Sequence, residues 1–225
     1  MHSAGVSSGI NRAVVEDIVR QIALEYLAKT NGKAARTLVV HASARHMHVS
    51  REDLDRLYGP GHELTPDRPL YQEGNYAAKE TVTLVGPRGR VISNLRILGP
   101  MRKQSQVELA FTDAISLGLE DVPIRLSGDI AGSAGAVILG PKGVVELKEG
   151  VIRAAIHVHM NPEDAAQFAV KQGDLMKLHV GGASGLTFNR VHVRIDPTSK
   201  LNVHMDTDEA NACGLHLAKE LELTK

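Results

Sequence analysis

Several common functions need residues that this sequence lacks. It has no tryptophan, and aromatic residues of all kinds make up 3% of its 225 positions. That is too few for the base-stacking platforms of RNA-binding sheets. Its one cysteine, Cys213, cannot form an internal disulfide, so the expected setting is a reducing cytosol. Charge is balanced, with 26 basic against 26 acidic side chains. A net charge of zero leaves no electrostatic footprint for nucleic acid and no general attraction to an anionic membrane. No apolar run approaches the ~18 residues of a membrane-spanning helix. The opening MHSAGVSSGINR lacks the basic-then-apolar pattern of a secretory signal. The length allows one large core or two modest ones.

Histidine, by contrast, is plentiful, at 11 residues. Two stretches repeat one pattern: RHMHVSREDL at 45–54 and IHVHMNPEDA at 156–165. Each has His-x-His, an apolar residue, Ser or Asn, and then a pair of acids. A third stretch, NVHMDTDEAN at 202–211, shares the tail, with His204, Met205, Asp206 and acids at 208 and 209.

Around these stretches the chain changes character twice. Residues 10–28 place Ile10, Val14, Ile18 and Ile22 four apart, with Arg12, Glu16, Asp17 and Arg20 between them, which predicts an amphipathic helix. KTNGKAAR at 29–36 reads as a helix stop and linker. Beyond it come short β runs, among them TLVVHAS, ETVTLVG, RVISNLRIL, AVILG, LMKLHVG and RVHVRID. The turns GPRGRV at 86–91 and GPKGVV at 140–145 predict tight hairpins. Short helices are expected at 51–58, 113–118, 162–171 and 207–222. So many strands with few helices predict closed or sandwiched sheets, not the alternation of a TIM barrel or Rossmann fold.

The repeated junction carries a chemical implication. A strand alternates faces, so His46 and His48 project to one side, as do His157 and His159. Ser50, Asn161 and Asp206 then stand where helix N-caps belong, with acids three residues on. Neutral imidazole is a common zinc ligand, and a same-face pair supplies two ligands from one stiff element. Helix starts favour anions, so the junction suits a metal pocket for an anionic substrate. The histidines at 2, 41, 62, 179, 192 and 216 lack the junction and read as structural.

A rival reading uses the same letters. His46, His48, Glu52 and Gly59 fit part of a cupin metal motif, and Gly135, Pro141 and Gly143 resemble part of a second. Glu146, however, stands where that motif needs histidine, and Glu52 falls in an expected helix. A cupin-like metalloenzyme is thus the alternative. A zinc-stabilised, non-catalytic adaptor is another.

HMHVSREDLDRLYGPGHEL, GPMRKQSQVEL, SGDIAGSAG, AAIHVHMNPEDA and NVHMDTDEANACGL, in that order, resemble the PduL-type phosphate acyltransferases, phosphate propanoyltransferases linked to bacterial microcompartments. The resemblance runs from about residue 36 to the C-terminus. It implies two interwoven β-barrels capped by short α-helices, one made of 36–45 plus 155–225 and the other of 46–154. Residues 1–35 lie outside that resemblance: their expected helix either packs on its own domain or, in keeping with the microcompartment setting, is an amphipathic targeting helix and linker that meets shell or core proteins through 10–28. The implied enzyme holds two zinc ions per chain and moves propanoyl or acetyl groups directly between coenzyme A and phosphate. By the same resemblance, His157, His159 and His204 bind one zinc, His46, His48 and Glu108 bind the other, and Arg102 binds phosphate. A homodimer working in propanediol degradation inside a microcompartment of the bacterial cytoplasm is also implied.

Overall fold

Two-residue periodicity governs the chain over residues 38–225, the part that a computed structural model describes. The helix expected at 10–28 and its linker lie outside the described residues. The first elements are β1 (Val39–Ser43), β2 (His46–Ser50), α1 (Arg51–Tyr58), β3 (Pro66–Pro69), β4 (Tyr76–Val85), β5 (Val91–Arg102) and β6 (Gln106–Glu108). Next come α2 (Phe111–Leu117), β7 (Ile124–Arg125), β8 (Ala134–Leu139), β9 (Val144–Ala154), β10 (His157–Met160) and α3 (Pro162–Phe168). The last are β11 (Leu175–Gly181), β12 (Leu186–Ile195), β13 (Asn202–Asp206), α4 (Thr207–Ala212) and β14 (Glu220–Thr224).

Hydrogen bonding sorts the strands into two sets. Strand β8 pairs with both β4 and β9, so β4, β5, β2, β6, β9 and β8 close into a ring. Strands β3 and β7 extend this barrel on β4 and β9. The second sheet runs β1-β13-β10-β12-β11-β14 and curls into a half-barrel. The mainly β architecture with short helices is therefore the one expected from the sequence. Both repeated turns are hairpins, linking β4 to β5 and β8 to β9. Gly86 N–H donates to Arg90 O at 2.9 Å, and Gly140 N–H to Gly143 O at 2.9 Å.

One helix expectation fails. The stretch 207–222 is helical only to Ala212; a 3-10 turn at Leu215–Leu217 follows, and then β14. Gly214 takes a left-handed φ of 59°, which breaks the helix. Beyond it, Leu221 and Leu223 turn inward while Glu220 and Glu222 stay exposed, a period of two.

Each set of strands has its own core. Met47, Val49, Ile97, Val107 and Leu109 fill the closed barrel, and Val158, Met160, Val193, Val203 and Met205 fill the half-barrel. Burying such side chains stabilises by about 1.5–3 kcal/mol each. The chain crosses from half-barrel to barrel at residues 44–45 and returns at 155–156. Each His-x-His pair starts immediately after a crossing.

Candidate metal centre

Alternation explains how four strands with apolar core faces present polar groups on their opposite faces. On β2, Met47 and Val49 enter the core, so His46 and His48 face the other way. Strand β6 does the same with Val107 in the core and Gln106 and Glu108 opposite. On β10 and β13, Val158, Met160, Val203 and Met205 are core residues, which leaves His157, His159, Asn202 and His204 on the other face.

Register then assembles these faces. His46 stands opposite Glu108 and His48 opposite Gln106 in the antiparallel β2–β6 pair. In the antiparallel β10–β13 pair, His157 stands opposite His204 and His159 opposite Asn202. The parallel neighbour of β2 is β5, and that of β10 is β12. The two halves repeat one strand arrangement.

The caps read from the sequence are present. Asp53 N–H donates to Ser50 Oγ at 3.1 Å, Asp164 N–H to Asn161 Oδ1 at 2.9 Å, and Glu209 N–H to Asp206 Oδ1 at 2.8 Å. Each cap ends its strand one or two residues beyond the last histidine, which fixes the height of the imidazoles.

Two groups of three result: His46, His48 and Glu108, and His157, His159 and His204. Within each, one potential ligand atom from every residue lies within 4.8 Å of the others, so each group can hold a metal ion. The donor types agree, since three His, or two His and one carboxylate, leave an open position on a tetrahedral ion. Tautomers agree as well. His46 Nδ1 lies 2.8 Å from Ala44 O, and His157 Nδ1 lies 2.8 Å from Ala155 O. A carbonyl only accepts, so both Nδ1 atoms carry a proton, and Nε2 is the atom each ring turns toward its group. His204 Nε2 is buried without a hydrogen-bond partner, and His157 Nε2 lies 3.2 Å from His159 Nε2. Converging, buried imidazole nitrogens are what a cation would satisfy.

Electrostatics holds most of these side chains in forms able to coordinate a metal. Burial above all, then His46 and Arg102, lowers His48 to about 3. Burial and then His157 lower His204 to about 3. His157 and His159 fall to about 4, again chiefly through burial, and next through their neighbours His159 and His204 respectively. These four imidazoles are neutral at pH 7, the form that coordinates. For Glu108, burial pushes upward, but His46, His48 and the Ser127 hydrogen bond outweigh it and hold the carboxyl at about 2.

A small pocket is lined by His46 and Glu108 from one group and by His157 and His204 from the other. Arg102, at the end of β5, donates from Nη1 to Ser127 Oγ at 2.8 Å, and Ser127 Oγ donates to Glu108 Oε1 at 2.6 Å. All seven residues singled out from the sequence therefore converge. The cupin set does not: Glu52 is exposed and bonded to Arg56 at 2.5 Å, and Glu146 is exposed on β9. Cys213 is buried, and burial pushes its thiol up.

Sequence reasoning missed Gln106, Ser127 and Arg194. Gln106 carried a usable signal, because it sits two residues before Glu108 on the same strand face. Arg194 pairs in register with His159, and its charge helps to lower His157, His159 and Arg102. Ser127 opens the SGDIAGSAG loop and had no local pattern to mark it.

A family model described as phosphate propanoyltransferase matches residues 39–216. The chain belongs to the phosphate propanoyltransferase family. It is 50% identical to a phosphate propanoyltransferase of Planctopirus limnophila over 98% of this chain and 94% of that protein. It is also 50% identical to one of Thermotoga maritima, over 80% of this chain and 85% of the relative. The corresponding protein of Salmonella typhimurium is 45% identical over 80% and 84%. Membership makes the chain an acyltransferase. The match covers both groups of three, Arg102 and Ser127. No helix among the described residues is long and apolar enough to cross a membrane.

Proposed function

We propose that this protein interconverts propanoyl-CoA or acetyl-CoA plus phosphate with the acyl phosphate plus coenzyme A. The observation that carries this reading is the convergence of two groups able to hold a metal on one pocket. One of these groups is joined to a cationic side chain suited to phosphate.

His46, His48 and Glu108 would hold one zinc ion, and His157, His159 and His204 would hold the other. When bound, zinc supplies Lewis-acid charge for the thioester carbonyl oxygen and for the departing sulfur. Arg102 binds phosphate through the guanidinium N–H groups not engaged by Ser127 and aims one oxygen at the carbonyl carbon. A C–O bond forms between that phosphate oxygen and the carbonyl carbon, the C–S bond breaks, and coenzyme A leaves as thiolate. No acyl-enzyme is needed, and the lone thiol, Cys213, is buried away from any such role. Arg194, on the face of His159, adds positive potential that favours the anionic substrates.

Strand pairing supports a division into one domain of 36–45 with 155–225 and another of 46–154. Residues 1–35 serve as targeting helix and linker. Their partners are shell or core proteins of a microcompartment for propanediol degradation in the bacterial cytoplasm, and the working form is a homodimer. The family model begins at residue 39, which supports treating the preceding segment as separate from catalysis.

The test is coenzyme A release from propanoyl-CoA plus phosphate by purified protein, alongside metal content per chain. Release that depends on both phosphate and metal supports the proposal. Metal-replete protein that releases no coenzyme A would leave the zinc-stabilised adaptor as the reading.

A further inference from the structure

Ser127 has one O–H and two lone pairs, and all three are committed. Arg102 Nη1 donates to its Oγ at 2.8 Å, and Gln106 Nε2 donates at 3.0 Å. Neither nitrogen can accept, so the single hydroxyl proton must go to Glu108 Oε1, at 2.6 Å. Gln106 Nε2 also reaches Glu108 Oε1, at 2.6 Å, while its own carbonyl oxygen accepts from Gly128 N–H at 2.7 Å. That last bond fixes which end of the amide is which. Glu108 Oε1 thus has two donors, and Oε2 stands 3.5 Å from His46 Nε2.

We propose that Ser127 is a positioning residue that couples anion binding at Arg102 to metal binding at His46, His48 and Glu108. This deepens the proposed function and rests on it. Ser127 and Gln106 occupy Oε1, so Oε2 is the oxygen presented to the ion. The same hydroxyl accepts from Arg102 and holds the guanidinium two hydrogen bonds from the metal ligand. An anion on Arg102 and an ion on Glu108 polarise one hydrogen-bond chain from opposite ends, so each strengthens the other's hold.

Coupling between two sites is reciprocal. In the wild-type protein, inorganic phosphate should tighten zinc binding, and zinc should tighten phosphate binding by the same factor, as read by chelator competition and calorimetry. Ser127→Ala should weaken zinc at one of the two sites by about 10–100-fold, the range for losing a group that orients a ligand. It should also cut the coupling factor severalfold and raise the KM for phosphate while leaving that for coenzyme A within about twofold. Ser127→Thr keeps the hydroxyl and should restore all three values.

Unchanged zinc affinity and coupling in the Ser127→Ala protein would overturn the proposal. So would a Ser127→Thr protein as impaired as the alanine variant, because loop distortion would then be the cause. The binding arms use zinc and phosphate alone. A wild-type protein that couples the two ligands but transfers no acyl group would sink the proposed reaction and leave Ser127's role standing.

Discussion

Glu108 stands opposite His46 across one strand pair as His204 stands opposite His157 across another. The two residues hold equivalent places in the repeated arrangement and differ in chemistry. His204 completes a set of three neutral imidazoles. Glu108 places a negative charge in the other set, and it alone carries hydrogen bonds from Ser127 and Gln106. One pocket therefore joins a neutral cage to an anionic one.

The equivalence gives a first prediction. Glu108→Ala and His204→Ala should each lose about one bound metal and retain the other, as read by elemental analysis per chain. Each should lower acyl transfer by more than about 100-fold, the upper end seen when even a supporting partner of a ligand is lost. Glu108→Ala should also be the less stable variant, since it removes the acceptor of the half-buried Ser127 hydroxyl and one of the two acceptors of the buried Gln106 amide. If either variant keeps two metals, its residue is not a ligand.

Arg102 supplies the second prediction. Arg102→Ala should raise the KM for phosphate far more than that for coenzyme A, by tenfold or more, because a charge-assisted bond is worth about 1.5–3 kcal/mol. Arg102→Lys should recover only part, since a point charge cannot replace the planar fork. Equal rises in both constants would remove Arg102 from the phosphate site.

The third prediction concerns pH and the metal-free protein. An unfolded chain takes up protons on His48, His157, His159 and His204 as pH falls through about 6.5. The folded protein resists until about 3 or 4. The unfolded state binds more protons throughout that window, so stability must fall as pH falls from about 6.5 towards 4. Glu108, held at about 2, adds a further loss once pH drops below its unfolded value near 4.3. Thermal melts of chelator-treated protein should shift down by several degrees between pH 7.5 and 5. A flat or rising profile would show that these histidines are not neutral in the folded chain.

Much of the centre was legible because it follows from local rules. His-x-His on a strand fixes two imidazoles on one face, and Ser50, Asn161 and Asp206 are short polar caps whose helices begin where the acids follow. The third strand-end histidine, His204, was found by the same tail. Its counterpart Glu108 was not, because its tail, Leu109-Ala110, puts an alanine at the cap and a carboxylate at the ligand position. Only the β2–β6 register makes it equivalent to His204. Ser127 lies 19 residues from Glu108 in sequence and meets it through the short β7 arm on β9, a tertiary placement with no periodic signature. Ring closure through β8 is likewise a matter of which strand edges meet, which hairpin spacing does not specify. The helix expected to run to 222 stopped early because a glycine and a two-residue alternation outweighed the helix-forming composition.

The last prediction concerns residues 1–34, which precede the family match at residue 39. The stripe Ile10, Val14, Ile18 and Ile22 is apolar enough to seat in a partner's groove, and TNGKAA follows at once. A helix belonging to the barrel core would more often join it through a short, defined turn. Deleting 1–34 should therefore leave metal content at two per chain and turnover within about twofold. It should abolish association with shell components and reduce self-association, if the apolar stripe is a contact surface. Ile18→Asp should reproduce the loss of association alone, since it puts a charge in the middle of the stripe. Co-sedimentation with purified shell proteins, beside a turnover assay, separates the two roles. A truncated protein that unfolds or loses most of its activity would place the segment in the catalytic body and end the targeting reading.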